Sequence, residues 1–180
     1  MAIRNFSGKT PFLGARAFVD ASALVLGDVI LGDDVSLWPM AVARGDVQAI
    51  RIGARTNIQD GSVLHVTQDN RFNPGGRALI IGADVTVGHG VILHACTVED
   101  LVLVGMGSTV LDGAVIQSRV MIGAGSLVPP NKVLESGFLY LGSPVKRARA
   151  LTEKELEYLE FSARHYVQLK NRHLQESSAS

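Results

Sequence analysis

The chain has one cysteine, Cys96, in 180 residues, which excludes an intrachain disulfide framework. Neither sign of charge dominates: Lys+Arg and Asp+Glu both total 17, for a formal net charge of zero. That balance argues against nucleic acid or a membrane surface as the main partner, since both select for basic patches. No apolar run reaches a bilayer-spanning length, and Met1–Phe6 lacks the apolar core of a signal peptide, so a cytoplasmic protein is expected. Charged residues are scarce, at 19%, and the mean hydropathy is +0.22. A soluble chain this apolar is expected to cover part of its surface with another subunit. The length suits one domain with a terminal appendage.

What the sequence does have is a period of six. Aliphatic residues recur at Val19, Val25, Leu31 and Leu37, then the small Ala43. The series restarts at Ile52, Ile58 and Leu64, again at Ile81, Val87 and Leu93, and finally at Val104, Val110, Ile116, Ile122 and Val128. Four residues after each comes a small or β-branched residue, such as Ala23, Ala41, Ser62, Thr97, Ser108 or Ser126. Glycine often follows the aliphatic directly, as at Gly32, Gly53, Gly82, Gly88, Gly105 and Gly123. Period six is neither helical nor simple strand alternation. It fits a short strand and a tight corner repeated, three units closing a triangular coil whose stacked copies bury an apolar column. The expected architecture is a mainly β, single-stranded parallel β-helix of hexapeptide repeats over residues 1–145, with residues 67–77 protruding as a loop. The repeat is lost at Pro129-Pro130, and residues 146–180 are read as a linker and an α-helix. The helix opens on a capping box, Thr152 to Glu155, and carries Leu156, Leu159, Ala163, Tyr166 and Val167 on one stripe, with Glu157, Glu160, Arg164 and Lys170 elsewhere. Gln175–Ser180 is expected to fray.

The register sorts the five histidines. His65 follows Leu64 and His94 follows Leu93, so both face outward on the same face of consecutive coils, about one strand spacing apart. Two imidazoles so placed can share a metal. His89, in Gly88-His89-Gly90, falls on the preceding face of the coil that carries His94. Outward side chains on different faces of a prism diverge, so a second chain packed alongside could supply the ligand that completes a three-histidine site. Gln59 sits at the outward position one face before His65, placed to hydrogen-bond a metal-bound water. Arg44, Asp46 and Asp60 are polar groups a β-helix face does not need, and ion pairs across a subunit contact would account for them. His165 and His173 lie on the terminal helix and carry no metal reading.

Arg44-Gly45-Asp46, Asn57-Ile58-Gln59-Asp60-Gly61-Ser62-Val63-Leu64-His65, Gly88-His89-Gly90, Leu93-His94 and Tyr140–Lys146 together resemble the gamma-class carbonic anhydrase family over nearly the whole chain. The resemblance implies a left-handed β-helix and a homotrimer. Zinc, or iron or cobalt, would sit at each interface, held by His65 and His94 of one subunit and His89 of its neighbour. It implies reversible hydration of carbon dioxide to bicarbonate by metal-hydroxide attack, with Gln59 orienting the hydroxide and Tyr140 matching a tyrosine near the metal.

The sequence departs from the best-characterised members in two places. Val47 stands where they carry an acidic residue after Arg-Gly-Asp, and the short Thr67–Arg77 stretch replaces a longer acidic loop that bears a proton-shuttling glutamate. Asp69 is the only local carboxylate in that stretch. The chain therefore resembles the short bacterial branch of the family, in which hydratase activity is not assured, and weak hydratase activity is expected of it. Two other readings stay open: a metal-dependent thioesterase or acyltransferase-like enzyme acting on CoA esters, and a non-catalytic trimeric zinc scaffold.

Overall fold

The computed structural model describes residues 3–179, with side chains through Glu176; Ser180 of the tail lies outside the described residues. The chain winds into a parallel β-solenoid of about eight turns, followed by one long helix, Glu153–Ala179. Each full coil contributes a strand to three faces. Val42–Arg44, Val63–His65, Ile92–His94, Thr109–Val110 and Leu127–Val128 stack on the first. Ile50–Ile52, Leu79–Ile81, Thr97–Val98, Val115–Ile116 and Val133–Leu134 stack on the second. Ser36–Leu37, Asn57–Ile58, Thr86–Val87, Leu103–Val104, Met121–Ile122 and Leu139–Tyr140 stack on the third. Every pairing along these stacks is parallel, so the residue before each corner always meets its counterpart one coil on.

The aliphatic series forms the interior. Leu37, Ile58, Leu64, Val87, Leu93, Val104, Val110, Ile116 and Val128 are all fully buried. Removing an aliphatic side chain of that size from water contributes roughly 1.5–3 kcal/mol. The register also runs further and more tightly than expected. Val98 takes the aliphatic position after Leu93, and the corner before it is one residue shorter, so Cys96 is the buried corner residue and Thr97 is only half-buried. The repeat does not stop at Pro129-Pro130: Leu134 pairs with Ile116 and Tyr140 with Ile122, both inward. Residues 146–150, read as linker, instead belong to the strand Val145–Ala150, antiparallel to Phe138–Gly142 at the solenoid's end.

The glycines after the aliphatics serve coil stacking. A Cβ on Gly53 would lie 2.5 Å from the carbonyl carbon of Gly82 in the next coil. The left-handed backbone that turns the corner comes two residues later, at Arg55 after Gly53 and at Gly90 after Gly88.

The helix packs on the third face, against Ser36–Leu37, Asn57–Ile58 and Thr86–Val87. Leu159 and Ala163 are buried, as the stripe requires, and Tyr166 and His173 join Trp38 and Phe18 in an aromatic cluster. Lys170, expected on the polar side, is instead fully buried. It continues the Ala163–Tyr166–Val167 stripe, and its ammonium is satisfied by the Arg16 carbonyl, Asp34 Oδ1 and Asn171 Oδ1, each at 2.7 Å. The helix keeps its form through Ala179, within the stretch where fraying is expected. Among the described residues no helix is long and apolar enough to cross a membrane.

The capping box forms. Glu155 accepts from the Thr152 backbone N–H and hydroxyl, both at 2.9 Å, and pairs with Arg149 at 2.7 and 2.8 Å. The Arg149 hydrogen bonds, with the Thr152 N–H next, hold its carboxyl down to about 2. A carboxylate with a depressed folded pKa adds stability above its unfolded value and loses it as pH falls through the folded one. Glu155→Gln is therefore expected to lower thermal stability at pH 7. The deficit against the native chain should shrink as pH falls from the ordinary carboxylate range to about 2, which parallel melting curves across that window would test.

Candidate metal centre

His65 and His94 are brought together by the ladder itself. Strand Ile92–His94 pairs on Val63–His65 with Leu93 opposite Leu64 and His94 opposite His65. Both leucines are fully buried, so alternation along the strand turns both imidazoles outward. His65 Nδ1 and His94 Nε2 face each other at 3.1 Å. Two nitrogens bound to one tetrahedral zinc at its usual bond length would lie about 3.3 Å apart.

The outer nitrogen of each ring meets a carboxylate. His65 Nε2 lies 3.2 Å from Asp46 Oδ1, and His94 Nδ1 lies 2.6 Å from Asp112 Oδ1. Asp46 also accepts from Arg44 at 2.5 Å, and Asp112 from the Thr67 hydroxyl. Burial pushes both carboxyls up, but these hydrogen bonds outweigh it and hold both below the ordinary range. Each is therefore ionised and can only accept, so each ring donates its outer N–H. In neutral imidazoles the two inner nitrogens then carry lone pairs aimed at one another. Burial also lowers the His65 pKa, which disfavours a proton between them. That donor set fits a divalent cation: two fixed nitrogen lone pairs, each ring oriented by a carboxylate behind it.

His89 stands apart. It occupies the corner after Thr86–Val87 rather than a face, and its side chain is 49% exposed. Asp60 Oδ2 accepts from its Nδ1 at 2.9 Å, so its Nε2 is the nitrogen left free. Among the described residues no group of three His, Cys, Asp or Glu in the chain comes together to hold a metal. The three expected ligands thus divide into a pair and a single. Arg44 and Asp46 pair with each other within the chain, and Asp60 with His89.

Gln59 is buried, 5% exposed, where the solenoid meets the helix. It lines a cavity of about 400 Å³ with His89, Thr86, Met106, Ser162 and Tyr166. Its Nε2 donates to Asn57 Oδ1 at 3.1 Å, and Asn57 Nδ2 reaches the Val85 carbonyl at 3.3 Å and Thr86 Oγ1 at 3.0 Å. A carbonyl only accepts, which fixes the Asn57 amide nitrogen on that side and its oxygen towards Gln59. Gln59 therefore keeps its carbonyl Oε1 as a free acceptor.

Tyr140 is not brought to the histidines within the chain. It fills the inward position of the last coil, stacked on Ile122, and its hydroxyl accepts from the Glu135 N–H at 2.8 Å. Asp112, Thr67 and Asn57 are the residues that sequence reasoning passed over. Asp112 had a usable signal: Leu93 pairs with Val110, which puts Leu111 opposite His94 and Asp112 one residue beyond it in the next coil.

No protein-family model matches the chain. Protein YrdA of Escherichia coli (strain K12) is 56% identical over 176 residues, 98% of this chain and 96% of that one. A carbonic anhydrase of Geobacillus kaustophilus is 47% identical over 166 residues, covering 92% and 87%. Gamma carbonic anhydrase 2, mitochondrial, of Arabidopsis thaliana is 43% identical over 180 residues, 99% of this chain and 64% of that one. Among solved structures, a hexapeptide transferase family protein from Anaplasma phagocytophilum superposes with a TM-score of 0.87 at 40% identity, covering 94% and 96%. With these relatives spanning nearly its whole length, the chain belongs to the gamma-class carbonic anhydrase family.

Proposed function

We propose that the protein is a zinc-dependent carbonate dehydratase acting as a homotrimer, with His65 and His94 of one copy and His89 of the next holding each metal. The observation that carries this reading is the facing pair of lone pairs, His65 Nδ1 and His94 Nε2 at 3.1 Å, with Asp46 and Asp112 behind them. Among the described residues no third ligand joins the pair within the chain, and the half-exposed His89, at its corner, is the nitrogen donor that a neighbouring copy would supply. The first face beside the pair also leaves Val63 and Ile92 about two-fifths exposed, an apolar strip suited to a partner. Nitrogen donors of this kind suit zinc, and also iron or cobalt. Zinc there would supply a nucleophile from water near neutral pH.

The chain's own residues do the rest. Asp46 and Asp112 fix ring orientation and keep the inner nitrogens unprotonated. Gln59 Oε1 offers an acceptor that can take a hydrogen from water and set its direction towards carbon dioxide. Asp69, the carboxylate of the short loop, accepts from the Gly75 N–H at 2.8 Å, a bond that anchors the loop. Val47 cannot carry protons.

The second reading, an enzyme acting on CoA esters, is favoured by the cavity beside His89, which at about 400 Å³ far exceeds what carbon dioxide requires. A zinc-loaded trimer that hydrolyses acyl-CoA and leaves carbon dioxide untouched would select it. The same trimer with neither activity would point to a scaffold.

Three outcomes are expected. Neither His65→Ala nor His89→Ala chains alone should hold the metal, whereas mixing them should restore zinc to the interfaces that pair an intact His65/His94 with an intact His89. Metal analysis of the mixed trimers checks this, and no recovery at all would refute the division of ligands. Asp112→Asn should weaken zinc binding by about 10–100-fold without dissolving the trimer, as competition with a chelator and light scattering would report. Hydration should be slow and rise with imidazole at fixed pH and ionic strength, because a diffusible base replaces the missing shuttle. A fast, buffer-independent rate in stopped-flow would show that the chain has a shuttle of its own.

A further inference from the structure

Ser162 is a serine on the apolar side of the terminal helix, 6% exposed and next to the buried Ala163. A hydroxyl there costs desolvation unless it is bonded. Its partner is Thr86 Oγ1 on the third face, at 2.9 Å. Thr86 Oγ1 accepts from Asn57 Nδ2, and in the Thr86–Ser162 pair either hydroxyl can donate to the other. Gln59 donates to Asn57 and Asn57 to Thr86, and with Thr86 as the donor to Ser162 the bonds run in one direction. All four residues are nine-tenths buried or more, so water does not relieve a break in the chain.

We propose that Ser162 is a positioning residue for Gln59, so that the terminal helix, through Thr86 and Asn57, helps decide which end of the Gln59 amide faces the cavity. Without the Ser162 acceptor, the Thr86 hydroxyl turns its proton towards Asn57. A donor there favours the flipped Asn57 amide, with Oδ1 towards Thr86, and a flipped Asn57 offers Nδ2 to Gln59. Gln59 must then turn its oxygen inward and present an NH₂ to the cavity. That group donates and cannot take a hydrogen from water. The Val85 carbonyl opposes the flip, so the loss is partial. The consequence for catalysis rests on the hydratase reading; the consequence for amide orientation does not.

The test uses the full-length, zinc-verified protein, uniformly labelled with nitrogen-15. Ser162→Ala is expected to move or broaden the side-chain amide resonances of Gln59 and Asn57 and to lower kcat/KM for hydration about five-fold at unchanged zinc content. Ser162→Thr, which keeps the hydroxyl, should hold the native resonances and rate. In a Gln59→Ala background Ser162→Ala should cost nothing further. Leu159→Ala, which weakens the same helix without touching the hydrogen-bond chain, should lower stability but leave the Gln59 resonance in place. A Gln59 resonance unmoved by Ser162→Ala, or moved as much by Leu159→Ala, would overturn the proposal, as would an equal rate loss with and without Gln59. If the native trimer hydrates no carbon dioxide, the hydratase reading fails, and the amide resonances alone still decide the role of Ser162.

Discussion

The pairing of Ile92–His94 on Val63–His65 is the contact on which the site depends. Side chains along a strand alternate with a period of two, so a slip of Ile92–His94 by one residue would send His94 into the core and Leu93 into solvent. Leu64 and Leu93, fully buried, set the register, and the histidines inherit their positions from it. The 11-residue loop between Thr67 and Arg77 leaves the coil and returns to it through their mutual backbone hydrogen bonds, at 3.0 and 2.9 Å, without disturbing that register. Insertions are thus confined to corners, and the pair stays aligned although its members are 29 residues apart.

Placing two imidazoles face to face leaves electrostatic work to be done. The carboxylates of Asp46 and Asp112 direct the N–H of each ring away from the other, and Arg44 and Thr67 keep those carboxylates ionised despite partial burial. Asp60 does the same for His89. Each of the three histidines thus has one nitrogen held by a carboxylate and one released, so its tautomer is set by the fold. The cost of presenting two lone pairs to each other at 3.1 Å is borne by the aliphatic column beneath them.

The helix belongs to this arrangement as much as the coils do. It lies on the third face, covers Gln59 and closes one wall of the cavity beside His89. Lys170 ties its far end to the first coils through Asp34 and the Arg16 carbonyl, and Glu155 caps its start. A hexapeptide transferase family protein shares this solenoid, so the architecture alone does not choose a reaction. The distinction lies in side chains on the corners and outward positions, which the interior does not constrain.

By itself the sequence determined the interior, because a period of six admits one inward residue per strand and the aliphatics announce it. It also determined that His65 and His94 meet, since that follows from counting along the register, and that the helix would carry Leu159 and Ala163 inward. Folding decided whatever depends on neighbours from other coils. Cys96 and Val98 took the core positions after Leu93 because one corner is a residue shorter, and Tyr140 became the inward residue of a last coil that the two prolines had hidden. Lys170 could be buried only because Arg16 and Asp34, far off in sequence, supply acceptors. Asp112 behind His94, and Ser162 behind Thr86, Asn57 and Gln59, are likewise partners that only stacking and helix docking bring within hydrogen-bond reach. The physical reason is range: hydrophobic periodicity is local and repeats along the chain, whereas a hydrogen bond needs two atoms within about 3 Å, and only the tertiary structure brings distant residues that close.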